Sequence, residues 1–238
     1  MLEIQITEQG TNLAYVDPKG AKTCKGIDLG DLVKVLSSNV SLDLGDLPIG
    51  TRNFGIKGDQ VHLVVERPAA EHEVSFQDSR VKKIGKVSLP AALFMFVLTK
   101  ANDAYFVNKS HIFAMRQNHV QLGLDGLYAY PTPNVYEDAR ICWGHNDDAT
   151  KNFKSLAAIN GLIYRFFTAP FNNDLFRTQC VSKNFPWKDL PAQDRLTESY
   201  LEFLTTHPFN VDWLTPARAE CQNYDKAKKF VFGSEVNL

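Results

Sequence analysis

Tyr130-Pro131-Thr132-Pro133-Asn134-Val135-Tyr136-Glu137-Asp138-Ala139-Arg140-Ile141-Cys142-Trp143-Gly144 is the stretch on which the reading of this chain turns. Two prolines and an asparagine within four residues exclude a central strand or a helix interior. The segment is therefore a loop, and Cys142 follows it on a structured approach. Loops carried by a rigid scaffold are where reactive side chains concentrate. Taken alone, a cysteine after an isoleucine reads as a small buried hydrophobe, so its surroundings decide.

Upstream of the loop the chain is strand-like. Val61-His62-Leu63-Val64-Val65-Glu66-Arg67 is rich in β-branched residues, and Glu73-Val74-Ser75-Phe76 alternates polar with apolar. Leu93 to Leu98 and Ala104 to Val107 flank the turn pair Asn102-Asp103, which predicts a hairpin. Ile112, Ala114, Val120 and Leu122 continue the strand pattern before the glycines Gly123 and Gly126. Downstream of Cys142 the period changes. Leu156, Ile159, Leu162, Ile163, Phe166 and Phe167 share one helical face, with Ser155 as N-cap and Pro170 as the stop. A second helix is expected from Gln193 to Thr206, ended by Pro208. Nearer the start, Leu29, Leu32, Val33 and Leu36 predict a short helix capped by Asp28. Strands followed by helices argue for an α+β fold: an antiparallel β-meander, the loop with its cysteine, then C-terminal helices. The expected organisation is N-terminal strands and a short helix over 1–58, packed onto a core over 59–215, with a tail over 216–238.

The totals narrow the function classes. Among 238 residues, 44% are hydrophobic and 22% charged, as in an ordinary globular chain, and 16 Phe with 8 Tyr can fill a core without disulfide staples. A net charge of -1 gives no basic footprint for nucleic acid, and Lys226, Lys228 and Lys229 read as a solvated helix end. The apolar run from Val87 to Leu98 is too short for a membrane helix, and the N-terminus has no basic start before an apolar block. A cytoplasmic location is expected, with Cys24, Cys142, Cys180 and Cys221 as reduced thiols. Cys142 and His145 have half of a zinc-like spacing, but Cys180, His207 and Cys221 are scattered, so no metal or cofactor is expected. His62 and His72 read as ordinary strand side chains. Phosphate-cradling glycine loops and serine-hydrolase or zincin motifs are absent from the sequence.

The loop resembles the active site of ubiquitin-conjugating enzymes. That family carries His-Pro-Asn, a short turn, then Ile-Cys, with the catalytic cysteine eight positions after the asparagine. Pro133-Asn134 and Ile141-Cys142 stand at that spacing, and Val135-Tyr136 is similar to the residues found there. Phe166-Phe167-Thr168-Ala169-Pro170-Phe171-Asn172-Asn173-Asp174-Leu175 resembles the segment after the family's first post-cysteine helix. The similarity is greater to the prokaryotic relatives called family D, including plasmid-associated members of the PRTRC gene system. It is carried by Pro90 to Val97, Tyr105 to Val107, Asn134 to Gly144 and Phe166 to Thr168, within roughly residues 60–180.

The resemblance implies a ubiquitin-conjugating-enzyme-like fold. It also implies a conjugating transferase that holds a ubiquitin-like modifier as a thioester on Cys142 and passes it to an amine or thiol. Asn134 is then the residue that stabilises the oxyanion or holds the loop, with Thr132 and Pro133 as loop support. The implied partners are the modifier, a ThiF-like activating enzyme and a JAB-type peptidase. Thr132 stands in place of the family's His, where its hydroxyl can brace the loop in part. Ala139 stands in place of Gly, and Asp138 is expected to take the left-handed conformation instead. His145, Asp147 and Asp148 are the nearby groups that can accept the proton of an incoming amine. The reading from a different class is a non-catalytic scaffold that binds the modifier, or a structural component of the plasmid-associated complex.

Overall fold

The structure, a computed structural model, describes the backbone of residues 2–7, 10–16 and 22–27, and residues 47–233 apart from 102, 119–125, 145–151, 177 and 193. The chain forms two compact units, 1–44 and 45–238. The first contains β1 (Leu2–Thr7), β2 (Gly10–Val16) and β3 (Lys22–Ile27), an antiparallel three-stranded sheet. The helix predicted over Leu29–Leu36 with its Asp28 cap lies outside the described residues, as do Val120, Leu122 and Gly123.

The second unit begins ahead of residue 58, because β4 (Thr51–Lys57) pairs with β5 (Gln60–Arg67) in the main sheet. That sheet is antiparallel throughout. Its order is β10-β9-β8-β5-β4, where β8 is Ala91–Ala101, β9 is Ala104–Met115 and β10 is Tyr128–Ala129. Between β5 and β8 in the chain lie β6 (Ala70–Gln77) and β7 (Val81–Leu89), which form a two-stranded sheet of their own. The pairing register is the same on both sides of the break: Arg67 faces Ala92, and Ala70 faces Leu89. These are therefore two halves of one long hairpin, interrupted at Pro68 and Pro90, which have no N–H to give to a ladder. Taken as one hairpin, it completes the meander expected from the sequence.

β8 is sealed on both faces. Leu93 through Leu98 are all buried, which is why this strand reads as a continuous apolar run. One face packs Phe94, Phe96 and Leu98 against α1 (Ile159–Thr168), whose Leu162, Ile163, Phe166 and Phe167 point inward. α1 stops before Pro170 as predicted. Ser155 does not cap it, however: it precedes a short 3-10 turn over Leu156–Ala158, and Ala158 holds the N-cap position of α1. α2 (Leu196–Leu204) is shorter than the expected Gln193–Thr206 and buries Tyr200, Phe203 and Leu204 on the same side.

The opposite face packs Leu93, Met95 and Phe113 against α3 (Tyr224–Phe232). The segment expected as a tail thus packs on this face of the sheet. Asn223 caps α3, its Oδ1 accepting from Lys226 N at 2.9 Å, and Ala227 and Val231 are fully buried. Lys226 and Lys229 stay at its solvated surface. No helix among the described residues is long and apolar enough to cross a membrane.

Candidate active site

Two buried tyrosines fix the entrance to the proline loop. Tyr130 Oη donates to Pro90 O at 3.2 Å, and Tyr200 Oη, from α2, donates to Pro131 O at 2.9 Å. Burial raises the pKa of both phenols, so they remain donors. Pro131, Thr132 and Pro133 are buried under this clamp.

Past the prolines the chain makes a small folded-back arm. Cys142 N donates to Asn134 O at 2.9 Å, Val135 and Ile141 form an antiparallel bridge, and Tyr136 N donates to Arg140 O at 2.9 Å. The return strand of the arm is stitched to the edge of β9: Ile112 N donates to Ala139 O and Ile141 N to Ser110 O. Cys142 therefore leaves directly from the sheet. At the tip, Ala139 itself has φ +66, and Asp138 does not take the left-handed conformation expected of it. Asp138 instead holds Arg140, Oδ2 to Nε 2.6 Å, and the guanidinium lies 5.1 Å from the Tyr136 ring centre. The Ala139 N–H to Tyr136 O bond requires the turn at residue 139, and a single methyl tolerates left-handed backbone at a cost of about 1–2 kcal/mol.

The structure brings Cys142, Asn134 and Pro133 to one groove of about 520 Å³, whose far wall is formed by residues 169–175 and by the β6–β7 turn. Cys142 is partly exposed there. The Asn134 carboxamide is braced at both ends: its Oδ1 accepts from Thr132 Oγ1 at 2.9 Å, and its Nδ2 donates to Phe166 O at the end of α1 at 3.3 Å. An amide has two N–H donors, so one remains after the bond to Phe166. Trp143 is an anchor, its Nε1 donating to Ser110 Oγ at 2.9 Å and its ring set edge-on to Phe166.

Three residues here were given no role in the sequence. Tyr136 Oη donates to Cys142 Sγ at 3.7 Å, and this bond, with the charge of the sulfur, raises the pKa of the phenol. Asp174 lines the groove with its carboxylate held by Asn172 Nδ2 at 2.7 Å, and Asp78 lines it from the β6–β7 turn. The similarity at Val135-Tyr136 and at Asn172 to Asp174 was the only signal in the sequence for the first two, and Asp78 had none. His145, Asp147 and Asp148 lie outside the described residues.

Two further cysteines of the second unit lie elsewhere. Cys180 and Cys221 are buried and line a separate cavity of about 440 Å³ behind Val135 to Ala139, and burial pushes the Cys221 thiol up to about 11. His207 stacks on Phe203 and does not line that cavity. Among the described residues, no group of three or more His, Cys, Asp or Glu side chains is placed to hold a metal ion. His62 stacks on Phe232 and His72 on Phe167, each with a pKa lowered chiefly by burial.

Comparison with known proteins agrees with this part of the chain. The sequence model of prokaryotic E2 family D matches residues 53–200, which run from β4 into α2 and include Asn134 and Cys142. Searches of curated proteins and of solved structures gave no match. With well over half of its length matched, the chain belongs to prokaryotic E2 family D.

Proposed function

We propose that this chain is a ubiquitin-conjugating-like transferase of the cytoplasm that carries a ubiquitin-like modifier as a thioester on Cys142. The observation that supports it is the shared groove, in which a partly exposed thiol and a braced carboxamide meet at the end of a clamped loop. A thiolate attacks the thioester on an activating enzyme of the ThiF-like class, and the modifier's C-terminal acyl group moves to Cys142 Sγ. An amine or thiol acceptor then attacks that carbonyl. Charge builds on the carbonyl oxygen, and the N–H of Asn134 that remains after its bond to Phe166 is the donor we assign to it. Tyr136 Oη, already donating to Cys142 Sγ, steadies the sulfur as the leaving group. Asp174 is the carboxylate we assign to an incoming amine. A JAB-type peptidase would remove or mature the modifier. We assign this chemistry to plasmid maintenance, a reading supported by the resemblance to plasmid-associated members of the PRTRC gene system.

The test incubates the protein with modifier, activating enzyme and ATP. A reductant-sensitive adduct is expected, lost in Cys142→Ala and replaced by a reductant-resistant ester in Cys142→Ser. No adduct in the presence of a demonstrably charged activating enzyme overturns the reading in favour of a modifier-binding scaffold.

A further inference from the structure

The cavity of about 440 Å³ behind the arm has the size of a small-molecule site. Its floor is the main sheet, at Phe113, Ala129 and Tyr130, and one wall is the arm from Val135 to Ala139. The other wall is the segment from Thr215 to Arg218, with Cys180 and Cys221. Residues 215–221 lie beyond residues 53–200, so most of this wall is additional to what the family model matches.

The inner lining is mostly apolar and uncharged. Tyr130 has already given its hydroxyl to Pro90 O at 3.2 Å, and Cys221, its thiol pushed up to about 11 by burial, stays neutral. The charged side chains of the lining, Glu137, Asp138 and Arg218, all reach solvent and so mark the mouth. Glu137 is engaged in an interaction of its own, and the Asp138 carboxylate holds Arg140 at 2.6 Å. Arg218 is held more loosely: its ion pair, Nε to Glu220 Oε2 at 3.9 Å, is longer than a hydrogen bond. The Arg218 charge is nonetheless close enough to Cys221 to oppose the rise of that thiol, which puts the guanidinium at the cavity. A guanidinium has five N–H donors in a fork that matches a carboxylate.

We infer that this cavity is a binding site for a small amphipathic acid, with an apolar body between sheet and arm and a carboxylate on Arg218. A cationic ligand would instead meet two carboxylates that already have partners. The site is independent of the thioester reading of Cys142.

The probe is 3-phenylpropionate, with 3-phenylpropanamide as its neutral counterpart, and binding to the full chain is read by saturation-transfer NMR. The acid is expected to bind with a dissociation constant of about 1 mM, the strength open to so small a ligand. The amide is expected to bind roughly tenfold more weakly, for want of the charge-assisted pair. Arg218→Gln, a change at an exposed position, should weaken the acid by roughly the same factor and leave the amide unchanged. Ala217→Phe fills the cavity and should abolish binding of both, and Ala129→Leu, which narrows it from the floor, serves if the phenylalanine variant does not fold. No binding of the acid to the wild type up to about 10 mM overturns the inference. Undiminished binding in Arg218→Gln, or in a folded cavity-filling variant, overturns it as well.

Discussion

The hydroxyl of Thr132 donates to Asn134 Oδ1 across 2.9 Å, from a side chain only 1% exposed. This bond does the bracing expected of the family's histidine, with a shorter side chain and no titratable group. It orients the carboxamide so that Nδ2, not Oδ1, is presented to Phe166 O and to the groove.

Thr132→Val keeps the shape and removes the donor. Stability should fall by about 1–2 kcal/mol in urea denaturation, because a half-buried amide oxygen loses its partner. Acyl discharge from Cys142 should slow by less than the ~10²–10³ expected for Asn134→Ala. Thr132→Ser should restore both. Wild-type behaviour of the valine variant in both assays would remove Thr132 from any bracing role.

Tyr136 gives a titration test of the sulfur contact. Its phenol is raised above the ordinary tyrosine value first by the hydrogen bond to Cys142 and then by the charge of the sulfur, both of which favour keeping the proton. Cys142→Ala removes both causes. In ultraviolet difference titration of the two proteins, one phenol should therefore ionise at lower pH in the variant. Superimposable titrations would show that the contact at 3.7 Å has no energetic content.

His111 predicts an acid sensitivity of the fold. It is 3% exposed on β9, edge-on to Phe230, and burial lowers its pKa to about 4, with Asp138 opposing the shift and Lys109 and Arg140 adding to it. The unfolded chain takes up this proton near pH 6.5 and the folded chain only near 4, so between those values the unfolded state binds more protons. Stability conferred by the neutral ring is intact above about pH 6.5 and is lost as pH falls towards 4, by up to roughly 3 kcal/mol. Denaturation at pH 7 and pH 4.5 should show the loss, and His111→Phe should flatten it. An equal slope in the variant would assign the acid sensitivity to other groups.

Ala139 at φ +66 predicts that a smaller side chain is better. Ala139→Gly should raise the melting temperature, with a gain of up to about 1 kcal/mol after the greater freedom of glycine in the unfolded chain is set against the relieved strain. Ala139→Val should lower it by more than that, since a β-branched residue is a poor fit to this region. A destabilised glycine variant would mean that the methyl group, nearly buried against the cavity behind the arm, contributes more than its backbone costs.

What the sequence disclosed follows from which interactions are local. β5 and β8 were legible as short runs of apolar and β-branched residues, α1 because its apolar residues repeat at the helical period, and Asp103 as a turn residue, with φ +58. The spacing from Asn134 to Cys142 carried the groove, since the arm between them closes on itself. Asp78 was not legible: its place depends on the pairing of Phe76 with Phe171, residues distant in sequence. α3 was read only as a solvated helix end within a tail, because its buried positions, Tyr224, Ala227 and Val231, are interleaved with Lys226, Lys228 and Lys229 and do not show as an apolar stripe. The left-handed turn fell on Ala139 because backbone bonds on both sides of it decide the geometry, against the preference of Asp138.

The register that the long hairpin keeps across Pro68 and Pro90 has a consequence for how the protein is made. β4 joins β5 and β8 joins β9 across short turns, and β5 meets β8 through the long hairpin, so the main sheet closes in chain order without waiting for a distant segment. All of these strands precede Cys142 in the chain. During synthesis the floor can be laid before the nucleophile emerges, and the arm that bears it docks onto an edge already waiting. A reactive thiol would then spend little time exposed on an unfinished chain.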